Sequence, residues 1–263
     1  MSLLRSYTPA DLLTIGNAAC GTVAIFLCLE HLAAHQVRFL WLAMALLPLA
    51  LVCDLLDGYV ARLDRSRQSR LGADLDSLAD VISFGIAPAV LGYAWGLYTF
   101  GRLGWAVGFL FVSAAAIRLA RFNIQTNTNP DKRYFVGMPS PAAAGVPAST
   151  VFLLPQGLPN GWMAALALPL LLVPAALMVS TIRYRSFKTF NLNTRRPASA
   201  LMIVALGIAA IVTYPQWALV LVSYTYLVSG FVGLVWSRVR PRSGEEVAAV
   251  GSEPIVSDGP REV

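Results

Sequence analysis

The chain has 263 residues, 57% of them hydrophobic and 13% charged, with a net charge of +6 and a mean hydropathy of +0.63. Soluble domains carry roughly a quarter charged residues, so this composition excludes an ordinary soluble domain and points to a polytopic membrane protein. The basic balance does not imply a nucleic-acid partner, because the basic residues stand at the ends of apolar runs rather than in a patch.

Near the N-terminus, residues 8–13 read as a short interfacial helix, giving an N-terminal segment over residues 1–13. The stretch lacks the basic n-region and cleavage site of a secretory signal. A bilayer core needs about 20 apolar residues per helix, with tolerance for tilt. Eight segments qualify: roughly 14–30, 39–61, 72–98, 103–123, 140–157, 161–180, 198–214 and 216–237. Pro147 and Pro155 punctuate the fifth, and Pro215 closes the seventh. Helices are expected for all of them, since each then satisfies its own backbone hydrogen bonds in lipid. The fold class is therefore all-α, a polytopic membrane helical bundle of about eight transmembrane helices over residues 14–237. Cys20, Cys28 and Cys53 lie in apolar runs without a CxxC and read as lipid-buried thiols. His31 and His35 fall on the far side from the acids discussed below. Trp41, Trp95, Trp105 and Trp162 suit membrane interfaces. Residues 238–263 form a polar tail without aromatics from Pro241 onward, for which disorder is expected.

Loop charge orients the bundle. Arg5, Arg62, Arg65, Arg67, Arg70, Lys132, Arg133, Arg183, Arg185, Lys188, Arg195, Arg196, Arg238, Arg240 and Arg242 fall on one side, against Arg38 and Arg102 on the other. The positive-inside rule then places both termini in the cytoplasm, with the basic face toward anionic lipid headgroups.

Two apolar segments carry the chemistry. Asp54 and Asp57 are three apart and Asp76 and Asp80 four apart, so each pair shares one helix face. At 1.5 Å per residue, Asp57 lies about 8 Å from Arg62 and Asp80 about 12 Å from Gly72 along the helix axis. The four acids meet at similar depth, just inside the cytoplasmic interface. Carboxylates are costly at membrane depth and mark function, and hard divalent cations relieve both their repulsion and their desolvation through oxygen ligation. Gly58, Ala61 and Gly72 leave room for a flat group beside the helix backbones, and Arg62 stands near enough to meet a phosphate. Gly85 and Pro88 predict a kink beyond Asp80. Gly16 and Asn17 either pack against the acid-bearing helices or mark a bend after the interfacial helix.

The run Asp54-x2-Asp57-Gly58-x2-Ala61-Arg62-x9-Gly72-x3-Asp76-x3-Asp80 resembles the signature of the CDP-alcohol phosphatidyltransferase family. Within it, the stretches Leu75 to Ala89, Ala116 to Asn123, Tyr134 to Gly145 and Ile182 to Lys188 are similar to the bacterial membrane-embedded phosphatidylserine synthases. The resemblance covers roughly residues 8–235. It implies transfer of a phosphatidyl group from CDP-diacylglycerol to L-serine, giving phosphatidylserine and CMP, in a homodimer among membrane lipids. It further implies two divalent cations, Mg2+ or Mn2+, held by Asp54, Asp57, Asp76 and Asp80, with Asp80 also the catalytic base. Asp54, Gly58, Ala61, Arg62 and Gly72 would bind the nucleotide. Arg118, Arg121, Asn123, Arg183, Arg185 and Lys188 are candidates for the serine and lipid-phosphate groups, since an arginine fork suits a carboxylate or phosphate oxygen. The signature is shared with family members that use glycerol phosphate, inositol phosphate or choline, so the acceptor rests on the softer stretches. A divalent-cation transporter is the alternative of another class, disfavoured because the third span beyond Asp80 is largely apolar.

Overall fold

The computed structural model describes residues 9–63, 70–128, 134–156, 161–185 and 213–239. Helices α1 (Pro9–Ala34) and α2 (Val37–Leu63) form an antiparallel hairpin closed by His35 and Gln36. His35 takes a left-handed conformation, φ 53°, and its amide donates to the His31 carbonyl at 2.8 Å. The His31 ring lies with Nδ1 3.0 Å from the Gln36 carbonyl, so both histidines serve the turn. Among the described residues, 9–13 do not form the separate short helix expected before residue 14. Pro9 opens α1 at a position where its missing N–H costs nothing, and no breaker follows, so residues 9–13 and the first span are one helix.

The third span is a composite. Helix α3 (Arg70–Asp80) passes into a π-helical turn, Val81–Ile86, and then into α4 (Ala87–Trp95). Pro88 has no N–H and its ring clashes with the carbonyl four residues back. The widened turn accommodates it, with the Ala87 amide reaching back five residues to the Ile82 carbonyl. The expected kink is thus a π turn, a feature that often marks functional sites. A 3₁₀ turn (Leu97–Phe100) and Gly101, at φ 54°, lead into α5 (Arg102–Thr128).

Two three-residue strands qualify the all-α expectation. β1 (Tyr134–Val136) pairs antiparallel with β2 (Arg183–Arg185), in the register Tyr134↔Arg185, Phe135↔Tyr184 and Val136↔Arg183. Between them run α6 (Ser140–Leu153) and α7 (Gly161–Val179), whose hairpin returns the chain to the same end of the bundle. The Gly137 amide donates to the Ile182 carbonyl at 2.8 Å, and Gly137 sits at φ 83° against the Met178 carbonyl, where a Cβ has no room. Helix α8 (Pro215–Val239) packs on α6, with Thr150 and Tyr224 hydroxyls 2.8 Å apart.

Among the described residues, four helices are long and apolar enough to cross a membrane: Pro9–Ala34, Val37–Ala61, Gly72–Trp95 and Arg102–Ile124. The Gly72–Trp95 helix is 61% buried over its apolar window, against 28–33% for the other three, so it is the central one. The rest turn apolar side chains outward, among them Leu12, Phe26, Leu49, Trp105 and Phe109. Exposed apolar area on this scale is a lipid-facing surface rather than a soluble exterior. The protein is an integral membrane protein. Trp95 departs from the interfacial role expected of it, since it is buried and its Nε1 caps the end of α6 by donating to the Leu154 carbonyl at 2.7 Å. The expected span over 198–214 falls mostly, and the tail beyond residue 239 entirely, outside the described residues.

Candidate active site

Asp54 and Asp57 stand in the last turns of α2, and Asp76 and Asp80 in α3. Carboxylate oxygens of Asp54, Asp76 and Asp80 lie within 4.8 Å of one another. Asp80 is buried, Asp54 and Asp76 half-buried, and the Asp76 Oδ1 atom is buried without a hydrogen-bond partner. Three converging carboxylates, one of which carries an orphaned oxygen, offer the oxygen donors that a hard divalent cation takes. The residues fit the metal that their spacing suggested.

Asp57 does not belong to the close triad. It is 5% exposed, and its Oδ2 accepts a hydrogen bond from the Thr14 hydroxyl at 2.8 Å. Its charge nevertheless acts on Asp54 and Asp76. Thr14 was not singled out in the sequence; the available signal was a polar residue three positions before Asn17 in an apolar run. Asn17 resolves in favour of packing rather than a bend. It is wholly buried, and its Nδ2 donates to Asp80 Oδ1 at 3.3 Å. The Ser83 hydroxyl, in the π turn, donates to the Asn17 carbonyl at 2.8 Å.

The other expected residues divide. A Cβ added to Gly58 would meet nothing within 4 Å, so open space does lie beside the acids there. Ala61 is half-buried near the end of α2, and Gly72 is half-buried in the first turn of α3. Arg62 lies in the last turn of α2, with its side chain outside the described set. Arg118 is half-buried, donates to the Ser140 hydroxyl at 3.0 Å and has the Phe122 ring 5.5 Å from its guanidinium carbon. Its charge acts on Asp80 and Asp54. Arg121 points elsewhere, toward the end of α7, where Nη1 donates to the Val179 carbonyl at 3.2 Å and reaches the Ser180 carbonyl at 3.5 Å. Cationic side chains are favourable at a helix C-terminus. Asn123 donates to the Ser77 hydroxyl at 2.8 Å, one residue from Asp76. Arg183 and Arg185 form part of β2, with side chains outside the described set, and Lys188 lies outside the described residues.

Comparison with known proteins agrees with this geometry. The pattern of the CDP-alcohol phosphatidyltransferase family matches residues 7–173. A Helicobacter pylori protein named CDP-diacylglycerol–serine O-phosphatidyltransferase is 37% identical over 236 residues, covering 89% of this chain and 94% of the relative. A Mycobacterium leprae protein of the same name is 34% identical over 223 residues, 82% of this chain and 70% of that one. A Saccharomyces cerevisiae protein, again so named, is 34% identical over 163 residues, 60% and 58% of the two chains. With the aspartate signature intact and the family pattern covering the helices that carry it, the chain belongs to the CDP-alcohol phosphatidyltransferase family.

Proposed function

We propose that the chain transfers the phosphatidyl group of CDP-diacylglycerol to the hydroxyl of L-serine, releasing phosphatidylserine and CMP. The observation that carries this reading is the convergence of Asp54, Asp76 and Asp80 beside the open space at Gly58. Relatives named for this reaction, alike over most of the chain, support serine as the acceptor.

Asp54, Asp57, Asp76 and Asp80 would hold two divalent cations, Mg2+ or Mn2+, which when bound neutralise charge on the pyrophosphate and the departing CMP. Asp80 takes the proton of the serine hydroxyl as that oxygen attacks the phosphorus bearing diacylglycerol. The new oxygen–phosphorus bond forms as the bond to the bridging oxygen breaks, and CMP leaves with that electron pair. Gly58, Ala61, Arg62 and Gly72 border the nucleotide, with Asp54 shared between nucleotide and metal. Of Arg118 and Arg121, the first faces the acids while the second serves backbone carbonyls. One guanidinium suits the carboxylate of serine or a single donor phosphate oxygen. Asn123, Arg183, Arg185 and Lys188 remain further candidates around that pocket.

The charge asymmetry of the loops supports an eight-span arrangement in the bacterial inner membrane, with both termini and the active site facing the cytoplasm. Acyl chains then stay in lipid while serine arrives from water. The segment preceding α1 lies at the interface, the residues beyond Val239 form a cytoplasmic tail, and the chain acts as a homodimer. Purified protein given CDP-diacylglycerol and a panel of serine, glycerol 3-phosphate, inositol phosphate and choline should release CMP with serine. Release with glycerol 3-phosphate and none with serine would refute the assignment.

A further inference from the structure

Two of the four acids are gripped from a helix that carries none of the signature. Thr14 and Asn17 are three apart on α1, hence on one face, and each donates to an acid of a different helix: Thr14 to Asp57 of α2, Asn17 to Asp80 of α3. A threonine within a helix ordinarily bonds the carbonyl four residues back. That option exists here, with the Ala10 carbonyl 3.2 Å away, but the carboxylate is nearer at 2.8 Å and the bond to it is charge-assisted. Asn17 is the more telling. An ionised carboxylate only accepts, so the amino end of the amide must face Asp80, which leaves Asn17 Oδ1 buried and without a partner. A stranded acceptor lowers stability, and an asparagine serving only packing has no reason to carry one. Ser83 then locks the asparagine backbone to the π turn, and Gly21 lets that turn approach, since a Cβ there would lie 2.7 Å from the Ser83 Cα.

We propose that Thr14 and Asn17 are positioning residues: Asn17 holds Asp80 within the centre it shares with Asp54 and Asp76, and Thr14 fixes the Asp57 carboxylate beside that centre. The proposal rests on the transferase reading above. It is tested on the full-length protein in detergent, by Mn2+ titration followed by electron paramagnetic resonance without substrates and by steady-state CMP release. Partners that orient metal ligands typically change affinity or activity by about 10–100-fold, and losses of that size are expected here. Thr14→Val should weaken Mn2+ binding, while Thr14→Ser, which keeps the hydroxyl, should bind like the parent. Asn17→Leu, similar in volume and free of the stranded acceptor, should lower kcat with little change in the KM for CDP-diacylglycerol and no fall in Tm. Parental Mn2+ binding by Thr14→Val, parental kcat in Asn17→Leu, or a kcat loss matched by a fall in Tm would each overturn it. If Mn2+ binding depends on the Thr14 hydroxyl but CMP release requires an acceptor other than serine, the serine assignment falls and the positioning role stands.

Discussion

At the residue scale, the aspartates divide into a close triad and an outlier. Asp54, Asp76 and Asp80 converge, whereas Asp57 is drawn toward Thr14. Asp80 accepts a hydrogen bond from the neutral side-chain amide of Asn17, which fixes its carboxylate without neutralising it. Asp80→Asn keeps the shape and removes the base. General-base catalysis contributes about 10²–10⁴-fold, so CMP release should fall by at least the lower figure while CDP-diacylglycerol binding largely persists. Turnover near the parental rate would remove Asp80 from that role. The four acids and their shared faces were legible from spacing alone, because three- and four-residue separations fix a helix face whatever surrounds it. Thr14 was not, since its partner lies 43 positions away and no local pattern links them.

At the scale of elements, the junction of α1 with the π turn is the most constrained contact near the site. A Cβ on Gly21 would stand 2.5 Å from Ser83 Oγ, 2.7 Å from its Cα and 3.0 Å from its nitrogen. Two of those atoms are backbone, so no rotamer change relieves them. Overpacking of this kind costs about 1–3 kcal/mol. Gly21→Ala should therefore lower the Tm in detergent and reduce turnover by displacing Asn17 from Asp80; parental values for both would show the junction to be slack. Pro88 announced an interruption in the third span, but not its form. Whether a proline yields a kink or a π turn depends on what receives the displaced residues, here Ser83 against Asn17 and Gly85 against Ala115.

At the scale of the whole molecule, the buried α3–α4 helix is wrapped by helices whose outer faces are apolar. This arrangement leaves the acids near one end of the bundle, the end that the proposed topology turns toward the cytoplasm. In a chain with Cys20, Cys28 and Cys53 replaced by alanine, a cysteine at His35 should react with a membrane-impermeant maleimide from outside intact cells. One at Ser66 should react only after permeabilisation, and the reverse pattern would invert the topology. Composition, hydropathy and acid spacing by themselves determined that this is a membrane protein with a metal-fitted carboxylate cluster, because those properties are local and additive along a helix. Only the tertiary structure decided which acids converge, which arginine faces them, and that α1 grips two of them. Those outcomes depend on helix rotation and depth, which are set by side chains that meet across long separations in sequence.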